Sequence, residues 1–263
     1  GLPGKAWSTA QPQIITDLEH SYFQRKDAAK EIGITAGIAI PVFSGEFLVA
    51  VTVLLFGGKA SEFGAIELWS AEANGQERLS LVDGYYGKLK NLENSSRCMK
   101  FNRGQGLPGM VWNYNFPMLV AEPATSNHFI RAGDAAIDNV TTALGFPYNN
   151  RYKDFVVSVL SSGDTPIARR FEIWMPDPEH KYLFLHSAKC DKGTNLTELY
   201  KNKKIKRGNG LKGRVWLTGC PAISTDLVAD ELVFFYDAEN YKCALVMPVI
   251  ENAFLKSLIV FVF

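Results

Sequence analysis

The chain carries the same residues three times at a period of about 105, and this repeat constrains the fold more than any other feature of its 263 residues. Gly1-Leu2-Pro3-Gly4-Lys5-Ala6-Trp7 returns as Gly106-Leu107-Pro108-Gly109-Met110-Val111-Trp112 and as Gly210-Leu211-Lys212-Gly213-Arg214-Val215-Trp216. A proline follows each tryptophan at one distance, at Pro12, Pro117 and Pro221. Further on, Ala36–Val42 corresponds to Ala143–Tyr148 and Ala244–Val249, each with a proline near its end. Phe23 and Arg25 lie as far before Pro41 as Phe129 and Arg131 lie before Pro147, whereas the third copy keeps the frame and not those side chains.

Glu67-Leu68-Trp69 matches Glu172-Ile173-Trp174 and has no counterpart before Gly1. The first copy is therefore expected to be the second half of a unit, with residues missing upstream of a start that falls inside a motif. The implied divisions are a half unit over 1–57 and full units over 58–165 and 166–263.

Each unit opens on a β-like pair. Phe63–Trp69 and Arg78–Val82 flank Asn74-Gly75, a strong hairpin signal, and Phe171–Met175 and Tyr182–His186 repeat the pattern. Phe23, Ala28, Ala29 and Ile32, and then Phe129, Ala132, Ala135, Ala136 and Val140, fall near helical spacing with charges between them, which predicts amphipathic helices on a sheet. Two apolar runs close each unit: 37–43 with 47–56, 143–148 with 155–160, and 244–250 with 255–263. Short polar breaks between paired runs predict antiparallel hairpins, and near-continuous Val, Ile, Leu and Phe predicts a sheet covered on both faces. The fold class is α+β: an antiparallel sheet with flanking helices, repeated in tandem.

This order of motifs resembles the GAF domain family. The Gly-x-Gly-Leu-x-Gly-x-Val-Trp run, the Phe-x-Arg stretch and the Pro-Val-type hairpin strands follow one another as they do there, over essentially the whole chain. The resemblance implies a central antiparallel sheet with helices on one side and, on the other, a pocket closed by loops and short helices. Such domains bind cyclic nucleotides, bilins, haem or small metabolites, or serve as dimerisation spacers, and control an attached output domain. The ligand-binding candidates that follow are Tyr85, Trp112, His128, Phe129, Arg131 and Asp134, in the second copy, where Arg131 could meet an anion bidentately or form a structural salt bridge.

Other features bear on chemistry. A net charge of +1 exerts no global pull on nucleic acid or anionic membrane, and the apolar runs are too short to span a bilayer. No basic start leads into an apolar run, so no signal peptide is expected. Cys98, Cys190, Cys220 and Cys243 form no C-x-x-C pair, which disfavours a zinc site or a dense disulfide framework and suggests a reducing, cytoplasmic setting. Gly104–Gly109 and Gly208–Gly213 match G-x-G-x-x-G, but no parallel strand precedes them, which favours a structural reading. Lys201, Lys203, Lys204, Lys206 and Arg207 read as a solvated loop, with phosphate or an acidic surface as the alternative.

No catalytic triad order or H-E-x-x-H is present. The expectation is a non-catalytic sensory module that binds a small molecule, with its cofactor unassigned, a homo-oligomer or larger assembly as its setting, and neither nucleic acid nor membrane as partner. An empty scaffold for dimerisation or protein contacts is the alternative, and a thiol reductase resembling the methionine sulfoxide enzymes is a third.

Overall fold

The computed structural model describes residues 1–57, 64–71, 77–149, 153–164, 166–233 and 239–263. Two compact units emerge: residues 1–41 with 51–167, and residues 42–50 with 168–263. Within the described residues no helix is long and apolar enough to cross a membrane.

The chain begins with α1 (Leu2–Thr9), β1 (Gln13–Ile15), α2 (Lys26–Glu31), β2 (Ile34–Ser44) and β3 (Phe47–Gly57). The strands form a three-stranded sheet of order β1-β2-β3, in which β1 runs antiparallel to β2 with Ile14 opposite Ile38. Leu2, Ala6, Ile15, Leu18, Phe23, Ala29 and Ala39 make a small core beneath α1 and α2.

Next come β4 (Ala65–Ala71), β5 (Arg78–Tyr85), α3 (Lys90–Cys98), β6 (Lys100–Asn102), α4 (Gly106–Tyr114), β7 (Met118–Ala121), α5 (Ala132–Ile137), β8 (Val140–Asn149) and β9 (Asp154–Ser162). They build a six-stranded antiparallel sheet of order β6-β5-β4-β9-β8-β7. The last unit repeats it with β10 (Arg170–Pro176), β11 (Tyr182–Cys190), α6 (Leu196–Leu199), β12 (Ile205–Lys206), α7 (Gly210–Thr218), β13 (Ala222–Ser224), β14 (Ala244–Glu251) and β15 (Phe254–Val262). Its order, β12-β11-β10-β15-β14-β13, is the same arrangement. In both sheets the strand carrying Glu-x-Trp lies at the centre, paired with the last strand of its own unit. The fold is thus α+β, with antiparallel sheets and short helices repeated in tandem.

The apolar runs become strands as expected. Their two-faced burial is complete in β9, where residues 155–162 are all buried. The Asn74-Gly75 turn and Phe63 lie outside the described residues. Helices are shorter than the spacing predicts, because left-handed residues stop them: Gly33 ends α2 at φ 74° and Asn139 follows α5 at φ 51°. Val140 accordingly begins β8, and Ile32 is exposed at the end of α2.

The repeated glycine loops also have a packing cause. A Cβ on Gly109 would sit 2.1 Å from the backbone oxygen of Asn102, and one on Gly213 would sit 2.4 Å from that of Lys206. Helices α4 and α7 press directly on the strands β6 and β12 that precede them. Those strands pair antiparallel with β5 and β11, so no parallel βαβ phosphate cradle exists at either loop.

Candidate functional site

A charged residue in an otherwise apolar strand needs a partner, since burying an isolated carboxylate costs far more than a domain can supply. Glu67 is such a residue: it stands in the central strand β4, fully buried. Alternation along the strand puts Glu67 and Trp69 on one face, and Trp69 donates from Nε1 to Glu67 Oε2 at 3.0 Å. A register shift after Leu68 leaves Val82 of β5 unopposed, a bulge beside the motif.

Three further elements converge on the carboxylate. Tyr86, just past β5, donates its hydroxyl to Oε1 at 3.1 Å, and Ser96 of α3 donates to the same oxygen at 2.8 Å. Arg131, at the N-terminus of α5, donates from Nη2 to Oε2 at 2.9 Å and from Nη1 to Oε1, with Ser96 Oγ also in reach. The guanidinium is 3% exposed as a residue and packs 5.1 Å from the centre of the Phe129 ring. Burial pushes Glu67 toward the neutral form, but the Arg131 charge and the hydrogen bonds from Arg131, Ser96 and Trp69 outweigh it and hold the carboxyl below its ordinary value. Tyr86 moves the other way, raised by burial and then by the Glu67 charge.

The second six-stranded unit builds the same core with the cation moved. Glu172 of β10 accepts from Trp174 Nε1 at 2.5 Å, and a bulge again follows the residue between them. Its charge is met by Arg170 from its own strand and by Lys212 of α7, whose Nζ is 3.8 Å from Oε2. Arg170 also donates to Tyr200 Oη at 2.9 Å and to the Leu232 carbonyl at 3.3 Å. Leu232 is the residue that stands where Arg131 does when counted back from the strand proline. Burial works to raise Glu172, and the Arg170 and Lys212 charges hold it low. Lys212 itself is lowered to about 8, chiefly by burial, with Glu172 offsetting part of that and Arg170 adding to it.

The candidate residues divide among different environments. Phe129 and Arg131 come together in the core, where Arg131 is committed to Glu67. Trp112 is mostly buried, donates from Nε1 to Asp154 Oδ2 at 3.1 Å and carries the Arg103 guanidinium 3.9 Å over its ring. His128 is exposed and Asp134 half-buried on α5. Tyr85 lines an open cleft of about 400 Å³, with Thr16, Thr35, Asp83, Lys90, Glu93 and Arg97 among its neighbours. Glu93 there is held low by hydrogen bonds from Lys90 and Arg97, at 2.8 and 2.6 Å. Glu67, Tyr86 and Ser96 complete the cluster and are not among the ligand-binding candidates of the sequence. Their signal was the acid inside Ala65-Ile66-Glu67-Leu68-Trp69, kept in both full copies.

All four cysteines are free thiols. Cys98 is exposed at the end of α3 and is the sole cysteine among residues 1–167.

No family model matches the chain, and no curated protein matches it. Among solved structures, it is similar to the NreA protein of Staphylococcus aureus mutated in its nitrate-binding site, at 17% identity over 40% of this chain and 78% of that one, with a TM-score of 0.32. The GAF domain of a Coxiella burnetii phosphoenolpyruvate-protein phosphotransferase matches at 21% identity over 36% and 56%, TM-score 0.30. The free methionine-R-sulfoxide reductase of Neisseria meningitidis matches at 13% over 38% and 52%, TM-score 0.30. GAF domains are therefore among the solved folds that this chain resembles, and the resemblance is one of fold.

Proposed function

We propose that the chain is a non-catalytic, GAF-like scaffold that regulates through protein contacts rather than by enclosing a small molecule. The observation that supports this is the occupant of the space beneath the helices. In one unit it is filled by Trp69, Tyr86, Ser96, Phe101, Phe129 and Arg131 around Glu67, with Trp69 and Phe101 edge-to-face at 4.7 Å. In the other it is filled by Trp174, Tyr200, Arg170 and Lys212 around Glu172. Two different side-chain sets that satisfy the same buried acid are what a structural role requires.

A second reading, a sensor for a small polar molecule, is favoured by the cleft that Tyr85 lines. Its walls are ionic rather than apolar, unlike most ligand pockets. Native mass spectrometry of the purified protein, followed by thermal-shift screening of nucleotides, tetrapyrroles and small anions, separates the two. The scaffold reading expects no co-purified compound and no stabiliser. A compound whose stabilisation disappears on Tyr85→Ala or Lys90→Ala would establish the sensor instead.

A further inference from the structure

We propose that residues 226–233 form a strap over the buried cations of the second six-stranded unit, and that closing it sheds a proton from Lys212, so that the strap tightens as pH rises. The device lies wholly within that unit and is independent of the scaffold reading above.

The first observation is how the segment is held. Three successive carbonyls turn inward: Asp230 accepts from the Leu211 amide at 3.2 Å, Glu231 from Lys212 Nζ at 3.3 Å and Leu232 from Arg170 Nη2 at 3.3 Å. Two successive acids are held as well, Asp230 by Arg214 at 2.5 Å and Glu231 by Lys203 at 2.6 Å. The grips thus come from α7, β10 and the turn before β12. Beneath them Leu227, Leu232 and Val233 join the apolar core around Trp174. The segment is built of turns, and Glu231 sits at φ 54°, a left-handed backbone that costs a glutamate energy. A turn segment tied down mainly by polar contacts opens at a lower cost than the sheet beneath it unfolds. Opening would uncover Leu227, Leu232 and Val233, giving the unit a proton-controlled apolar surface.

The second observation is a charge count. Arg170, Lys212 and Glu172 are 1, 2 and 0% exposed, two buried cations to one acid. In the other six-stranded unit Arg131 and Glu67 balance, and Pro108 stands where Lys212 does. Arginine keeps its proton, and the two cations hold Glu172 ionised, so Lys212 is the group that can discharge the excess. Its ammonium is thinly satisfied, with the Glu231 carbonyl at 3.3 Å, Glu172 Oε2 at 3.8 Å and the Trp174 ring centre at 4.8 Å. Burial brings it to about 8; Glu172 and Glu231 oppose the fall, while Arg170 and Lys203 add to it. Of the remaining charged and titratable groups nearby, Arg214 is paired with Asp230, and Tyr200 accepts from Arg170.

With the strap lifted, water reaches the ammonium and returns it toward the ordinary ~10.4. The closed form therefore binds fewer protons than the open one from about pH 8 to about 10.4, and gains on it as pH rises through that range. Below about 8 both forms keep the proton and the balance is flat.

Hydrogen exchange of the whole chain tests this, read at the Asp230, Glu231 and Leu232 amides that bond within the strap and corrected for the intrinsic rate. The strap's opening constant is expected to exceed that of the β15 amides at every pH. It should be level from about pH 7 to 8 and fall about tenfold per pH unit from about 8 to 9.5. Lys212→Met should remove that slope. Arg214→Ala breaks a half-exposed ion pair, so it should raise the opening constant by about twofold to fivefold and leave the slope intact; it tests the strap even if Lys212→Met fails to fold. The proposal is overturned if the strap amides open only together with β15, or if wild-type opening ignores pH. It is equally overturned if the slope persists in Lys212→Met, or if Arg214→Ala leaves the opening constant unchanged.

Discussion

Replacing Arg131 with methionine takes the cation away from a carboxylate that stays buried. Arg131 donates to both oxygens of Glu67, and the two side chains are 1% and 0% exposed. Removing one member of such a pair costs about 3–5 kcal/mol, a large part of the ~5–15 kcal/mol that holds an ordinary domain together. Glu67→Gln alone strands the guanidinium and is expected to cost a similar amount. The double variant removes both charges and should recover most of the loss, giving a coupling energy of about 2–3 kcal/mol.

Hydrogen exchange at residues 65–71 under native conditions is the suitable assay, because it reads this unit apart from the other. The pH dependence supplies a second arm. In the wild type the folded carboxyl lies below its unfolded value, so its stabilisation is present above the ordinary carboxylate range and is lost as pH falls through the folded value. Without Arg131, burial dominates and raises Glu67, so the folded variant prefers the proton. Its deficit should then shrink as pH falls from about 7 to about 5. A cost below about 1 kcal/mol for Arg131→Met, or a double variant whose loss equals the sum of the singles, would refute the reasoning.

Lys212→Met should abolish the alkaline pH dependence that the lowering of Lys212 to about 8, chiefly by burial, gives the second six-stranded unit. Because the folded value is lowered, wild-type stability should rise between pH ~8 and ~10.5 while the variant stays flat, which urea melts across that range would read. The aligned glycines predict opposite signs. Gly109→Ala and Gly213→Ala meet a backbone oxygen and should lose about 1–3 kcal/mol, whereas Gly4→Ala in α1 meets nothing and should gain about 0.5–1 kcal/mol, as thermal melts would show.

Strands and their antiparallel pairing were legible because alternation and turn residues are local signals. The 37–43, 47–56, 143–148, 155–160, 244–250 and 255–263 runs all lie within observed strands to within a residue. Helix ends were not, since a residue such as Asn139 stops α5 by adopting a left-handed backbone, which asparagine favours at helix ends but does not require. The site was half legible. Arg131 stood out as a repeated cation, but its partner lies 64 residues earlier in the chain, and pairing at that separation leaves no local pattern. Glu67 is visible in the sequence only as a landmark, because the groups that neutralise an acid in an apolar strand come from Tyr86, Ser96 and Arg131 on other elements.

The third copy answers why the Phe-x-Arg signature could be lost without losing the fold. The buried acid is the fixed requirement, and the cation can arrive from any element that faces it. Arg170 enters two residues before Glu172 on its own strand, where the other unit has Ala65. Lys212 enters from α7, where that unit has Pro108. If position alone is flexible, Ala65→Arg should partly rescue Arg131→Met, because the new guanidinium would reach Glu67 as Arg170 reaches Glu172. Rescue of at least about half of the 3–5 kcal/mol deficit is expected. Ala65 is fully buried, however, so the wild-type background must suffer from the same substitution, through overpacking and an unpaired charge. Ala65→Arg that is as damaging in the Arg131→Met background as in the wild type would mean that the two units do not share one electrostatic solution, and that the repeated Glu-x-Trp is held for packing alone.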